Sequence, residues 1–248
     1  MEKATDLFNK SIERAISTIT SNEVCMFCGG TEGHLVARPF NKFAHETCLN
    51  EHVTKQIKAN VKSYLKAAGV RERYIDCSFD NFKATCETLK GAIKALSEID
   101  QQFLGSVFLT SKTSGTGKTH LAIAVLRKLI LSGIRDSVFV SSPSLFLEIK
   151  NSFDSATAHE SEIIEKYCSV PFLVVDDIGV ERVSDWAKQI WYIIIDRRYS
   201  DMKPTIYTSN LSLGEIAEFY GDRIASRLSA GIVLTIDAKD YRLANRVK

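Results

Sequence analysis

Apolar positions along this chain follow two rhythms. Short unbroken runs, at residues 107–109, 138–140, 172–175 and 233–236, have the length and β-branched content of buried strands. A further run, PTIYTSN at 204–210, reads as a strand that ends in polar residues. Between these runs the apolar residues recur at helical spacing, over residues 7–19, 49–68, 89–103, 121–130, 144–153 and 186–199. Gly69 is a stop for the second of these helices. Residues 151–162 are polar and read as starting in a loop, and Arg242 begins a last, basic helix. Strands alternating with helices from residue 107 onward predict an α/β fold, a parallel sheet flanked by helices. The helical front part, residues 1–70, reads as a separate small module, and 71–248 as the α/β domain. The stretch RERYIDCSFDNF joins them, with Tyr74, Ile75, Phe79 and Phe82 placed to pin it across the domain.

Composition narrows the class. The chain of 248 residues is 45% hydrophobic and 25% charged, as ordinary globular proteins are. A net charge of +2 rules out a global basic field, so any nucleic-acid site must be local. The N-terminal MEKATDLFNK has acids early and no apolar core, which does not fit a signal peptide. No apolar run is long enough to span a bilayer. Cys77, Cys86 and Cys168 show no pairing pattern, which suits a reducing cytoplasm.

The densest chemistry lies at VFLTSKTSGTGKTHLA. A strand, a loop of small residues, Gly-Lys-Thr and a helix form the context of a phosphate-binding loop. Gly115 and Gly117 can take positive φ, which turns backbone N–H groups of Ser114, Thr116 and His120 towards a phosphate. The helix start adds partial positive charge at the same point. Lys118 would reach the outer phosphates and the Thr119 hydroxyl would bind Mg²⁺. The first glycine of the usual pattern is replaced by Lys112. A plain glycine-rich turn is the alternative. Asp176 and Asp177 follow the apolar run at 172–175, at the edge where parallel sheets bind ligands. There Asp176 would hold Mg²⁺ and Asp177 would polarise an attacking water; a simple turn is the other reading. Asn210 would help orient that water, although Asn is equally at home in a cap. Arg223 and Arg227 share a helix face and, with Arg242, supply guanidinium groups suited to phosphate; salt bridges with acids such as Asp222 would also explain them.

The front module has its own pattern. Cys25 and Cys28 form a C-x₂-C pair on a glycine turn, and His45 and Cys48 close the set after a long loop. Three thiolates and one imidazole would make a closed zinc site that stabilises a module with little core. His34 and His52 fit less well. Lys55, Lys58, Lys62 and Lys66 fall on one helix face, which reads more simply as a solvated face than as a nucleic-acid stripe.

Taken together, ERYIDCSFDNF, SGTGKTHLA, FLVVDDIG, YTSN and DRIASRL followed by DYR resemble AAA+ ATPases. Within that class they are similar to the DnaC/DnaI-type helicase loaders and to the IstB transposition helpers, over residues 71–248. The resemblance implies an ATPase of the P-loop type that binds ATP and Mg²⁺. In it Lys118 and Thr119 are the Walker A pair, Asp176 and Asp177 the Walker B pair, Asn210 sensor I and Arg242 sensor II. Arg227 is the finger offered to the ATP of a neighbouring subunit, with Arg223 the nearby alternative, which implies a ring or spiral. The partners implied are a hexameric replicative helicase, docked on the zinc-binding front module, and single-stranded DNA. Many AAA+ proteins carry Glu where this chain has Asp177, so its hydrolysis is expected to be slow. A transposase helper, or a helicase inhibitor with little turnover, would share the same fold. For the front module, the wild-type chain is expected to carry one zinc that Cys25→Ser loses; unchanged metal content in that variant would sink the zinc set.

Overall fold

The computed structural model describes residues 35–38, 42–134, 136–153 and 159–244. The chain divides into two compact units, Met1–Ala59 and Asn60–Lys248. In the first, β1 (Leu35–Arg38) and β2 (Lys42–His45) pair antiparallel, Leu35 opposite His45. Helix α1 (Glu46–Ala67) follows at once. The hairpin lies where the sequence reads as loop, because four-residue strands are too short to display a period. Cys25 and Cys28 lie outside the described residues, and of His45 and Cys48 only the backbone is described.

The second unit is a five-stranded parallel sheet, in the order β4-β5-β6-β3-β7. Its strands are β3 (Ser106–Thr110), β4 (Ser137–Ser141), β5 (Phe172–Ile178), β6 (Thr205–Ser209) and β7 (Ile232–Thr235). Around it run α2 (Glu87–Ser97), α3 (Lys118–Leu131), α4 (Ser142–Ser152), α5 (Glu160–Ser169), α6 (Asp185–Ser200), α7 (Leu213–Tyr220), α8 (Asp222–Ser229) and α9 (Tyr241–Ala244). This is the AAA+ P-loop architecture expected from the sequence. The central strands β3, β5 and β6 are almost wholly buried, as parallel strands covered on both faces must be. Helix α3 has nine buried positions in fourteen residues, so its apolar character runs nearly all the way round. Trp191 and Ile194 of α6 pack with Phe108 and Tyr207 in the core. No described helix is long and apolar enough to cross a membrane.

One expectation needs correction, and two helices went unread. The helix read over 89–103 ends at Ser97. Lys128 of α3 donates to the carbonyls of Ser97 and Ile99, at 2.5 and 2.8 Å, and Asp100 then caps a turn through the Gln102 N–H. Helix α5 begins at the end of the polar stretch 151–162 and went unread, since residues 160–169 bury only Ile164, Tyr167 and Cys168 and carry a faint pattern. Helix α7 was also hidden. It is short, and a capping box starts it, with Ser212 and Glu215 bonded reciprocally.

The 71–82 segment is pinned as expected, though polar contacts carry much of the work. Arg127 of α3 donates to the carbonyls of Cys77 (2.8 Å) and Ile75, while Ile75 and Cys77 are buried. Burial pushes the Cys77 thiol up to about 11, so it is inert. Before this segment, Gly69 turns at φ 100°, and the Phe139 N–H of edge strand β4 donates to the Ala68 carbonyl at 2.7 Å. Lys62 and Lys66 pair with Asp76 and Glu72, at 2.7 and 2.8 Å, which favours the plain reading of the lysine face.

One buried cation ties three elements together. Arg198, 1% exposed, donates to Thr205 Oγ1 and to the carbonyls of Tyr167, Cys168, Val170 and Pro204. The end of α5, the connection leading into β5 and the start of β6 therefore meet on one guanidinium. Arg198→Met would keep the volume and orphan these oxygens. A loss of about 3 kcal/mol or more is expected, read by equilibrium urea unfolding; a loss below about 0.5 kcal/mol would contradict this account.

Candidate functional site

The site lies at the C-terminal ends of β3, β5 and β6. Hydroxyls knit these ends together. Thr110 Oγ1 donates to the Leu211 carbonyl at 2.6 Å, and Ser209 Oγ to the Ile178 carbonyl at 2.6 Å. The Ser111 N–H donates to the Ser209 carbonyl at 3.2 Å. From this base the loop 111–117 rises into α3. Gly115 and Gly117 adopt φ of 72° and 98°, and Gly117 is the cap of the helix. A side chain at Gly117 would strike the Phe82 ring, and one at Gly115 would strike Asp240. The Gly115 carbonyl accepts from the Tyr241 N–H at 3.0 Å, so the C-terminal segment closes over the loop.

Inside this frame the structure gathers most of the residues singled out in the sequence. Lys118, 5% exposed, donates to Asn210 Oδ1 at 2.7 Å. Thr119 Oγ1 lies 3.0 Å from both Asp176 oxygens. Thr208 Oγ1 donates to Asp176 Oδ1 at 2.6 Å and accepts from the Asp177 N–H at 2.9 Å. Asp177 stands at φ 59°, a strained value for a residue with a side chain. Burial, reinforced by the Asp177 charge, pushes the Asp176 carboxyl up to about 6, against the pull of Thr208, Thr119 and Lys118. Burial likewise lowers Lys118; Asp177 and Asp176 oppose that shift, and the Arg242 charge adds to it. Arg242 is therefore close enough to be felt at Lys118.

Other named residues fall elsewhere. His120 shares a hydrogen bond with the Ser78 carbonyl at 2.9 Å and sits edge-on to Phe82, with ring centroids 5.0 Å apart. Burial lowers its pKa. Arg227 pairs with Asp196 of α6, lies over the Tyr192 ring at 5.2 Å and donates to the Arg223 carbonyl. Ser114 and Lys112 are exposed, and the Lys112 charge is felt by Glu215. Thr208 and Phe82 were not singled out as site residues in the sequence. Thr208 lay in YTSN, next to Asn210, and Phe82 in the linker.

These residues fit a nucleotide with Mg²⁺. The Thr116 hydroxyl is buried with no partner among the described residues, inside a loop whose glycines leave room for a phosphate. Thr119 and Asp176 offer hard oxygen donors. No described cluster of three or more His, Cys, Asp or Glu could hold a metal alone. A protein hydroxyl and one carboxylate, completed by phosphate oxygens, is the usual way Mg²⁺ is held.

Comparison with known proteins agrees with this geometry. Residues 40–248 match the family model of the IstB-like ATP binding protein. The replicative helicase loader DnaC of Escherichia coli K12 is 30% identical over 166 residues, 66% of this chain and 67% of the loader. DnaC of Buchnera aphidicola from Acyrthosiphon pisum is 31% identical over 199 residues, 78% of this chain and 80% of that one. The crystal structure of the DnaC helicase loader superposes with a TM-score of 0.60 at 26% identity, covering 67% of this chain and all of the other. The DnaI structure, at 22% identity, a TM-score of 0.59, and 68% and 95% coverage, shares the fold.

The raised Asp176 has a consequence for stability. The folded protein binds its proton more tightly than the unfolded chain, so stability falls as pH rises from about 4 to about 6 and stays lower above that. Moving a carboxyl from its ordinary 3.8 to about 6 costs up to about 3 kcal/mol. Asp176→Asn removes that cost. In EDTA at pH 7.5 the variant is expected to unfold at higher denaturant than wild type, with the gap closing towards pH 4. A wild type that is the more stable at pH 7.5 would overturn this.

Proposed function

The chain belongs to the IstB-like ATP-binding family, and we propose that it is an ATPase that loads a replicative DNA helicase. The observation that carries the reading is the meeting of Lys118, Thr119, Asp176 and Asn210 behind a glycine loop, in a chain that resembles DnaC loaders over two thirds of their length. Bound Mg²⁺–ATP supplies the phosphoryl group to be transferred. Lys118, released from Asn210, balances phosphate charge, and Thr119 with Asp176 holds the metal. Backbone N–H groups of residues 114–120 face the phosphates. Asp177 orients a water and Asn210 sits beside it. Arg242 approaches from the same subunit, and Arg227 leaves Asp196 to reach the ATP of a neighbour in a ring or spiral. His120 serves by fixing the segment that carries Phe82.

The assembled, ATP-bound state would hold single-stranded DNA, and hydrolysis would release the loader. The front module, residues 1–70 with zinc on Cys25, Cys28, His45 and Cys48, would grip the helicase. The setting is the cytoplasm of a bacterium or of a phage-infected one. Lys118→Ala is expected to abolish ATP binding. Asp177→Asn is expected to keep binding and slow hydrolysis about 100-fold. Wild-type turnover no faster than Asp177→Asn would mark a nucleotide-gated inhibitor instead. Co-purification with a hexameric helicase supports the loader, and capture of a transposase in its place overturns it.

A further inference from the structure

Beyond the residues already given roles, one carboxylate is unusually well supplied with donors. Glu181 follows the Asp177 turn by four positions, and its two oxygens receive four hydrogen bonds. Oε2 accepts from the Gly179 N–H at 3.1 Å and from Ser142 Oγ, at the junction of β4 and α4. Oε1 accepts from Trp191 Nε1 of α6 and from the Tyr220 hydroxyl of α7 at 2.7 Å. Four donors fill a carboxylate's accepting capacity. Burial, then the bond to Glu181, raises the Tyr220 pKa.

What Glu181 holds is a turn with one long hydrogen bond of its own, from the Val180 N–H to the Asp177 carbonyl at 3.4 Å. Asp177 and Gly179 both have positive φ, at 59° and 97°, and β5 slips register against β6 between Val175 and Ile178. The near side of the turn is fixed by Thr208 on the Asp177 N–H and by Ser209 on the Ile178 carbonyl. The far side is fixed by Glu181 on the Gly179 N–H. A side chain on a strained backbone keeps its aim only while both ends are restrained.

We propose that Glu181 is a positioning residue for hydrolysis: by anchoring Gly179 to Ser142, Trp191 and Tyr220 it sets the backbone that aims Asp177. This rests on the ATPase reading given above. The chemistry of the four donors makes it testable. The Gly179 N–H and the Trp191 indole N–H can only donate, and each sits on a different oxygen. In Glu181→Gln the amide NH₂ must therefore face one of them, whichever way it turns. Trp191→Phe removes that conflict, because the NH₂ can then face position 191 and leave the amide oxygen for Gly179.

The full-length protein is assayed for ATP hydrolysis, with ATP affinity measured by a fluorescent analogue, well below the melting temperature of every variant. Glu181→Gln is expected to lower kcat about tenfold with affinity within about twofold. Glu181→Gln combined with Trp191→Phe is expected to hydrolyse about threefold faster than Glu181→Gln alone. A purely structural role would make the two losses add. Wild-type kcat in Glu181→Gln, or a double variant no faster than the single, overturns this inference alone. A wild type that binds no ATP overturns the ATPase reading and this one together.

Discussion

Asp176 lies almost out of reach of water, and the site depends on how that carboxylate is kept there. Two things oppose its charge, burial and the neighbouring Asp177. Two hydroxyls and one ammonium offset them, from Thr208, Thr119 and Lys118. Thr208 comes from β6, and Thr119 and Lys118 from the start of α3, so β5, β6 and the start of α3 must arrive in register for the carboxylate to be tolerated. The offset is incomplete, which is why both Asp176 and Lys118 are driven towards neutrality. In the proposed ATP-bound state a divalent ion with a polyphosphate would complete the balance. Folding thus leaves an electrostatic deficit at the place where a ligand of the right charge relieves it.

That economy explains what was legible in the sequence. The runs at 107–109 and 172–175 could be read because parallel strands buried on both faces are continuously apolar. The loop and the acid pair could be read because phosphate and metal demand particular residue types at fixed spacing. The supporting contacts could not. Thr208 is one hydroxyl in a strand that tolerates hydroxyls anywhere, and its two bonds depend on register with β5. Glu181 looked like any acid in an exposed turn, since its four donors come from positions 142, 179, 191 and 220. Helices α5 and α7 were missed because only a few of their residues are buried.

The arginines show the same contrast. Arg198 ended an apolar helix and drew no special reading, yet it is the cation buried deepest among the described residues. Its role is architectural, set by carbonyls that no sequence pattern marks. Arg227 was marked by family resemblance, and the fold engages it with Asp196 and Tyr192. Its Nε is buried without a partner among the described residues, so the pairing leaves one donor unspent.

The junction after α1 carries a different lesson. Strand β4, SVFVS, is an edge strand of high β-propensity, the kind of backbone that recruits foreign strands. Its Phe139 N–H is already given to the Ala68 carbonyl, and a side chain at Gly69 would collide with the Phe139 carbonyl. The glycine that ends the helix therefore also stoppers the sheet, letting the chain lie flush against its own margin. Replacing it would trade a covered margin for an adhesive one, a liability of solubility and not of chemistry.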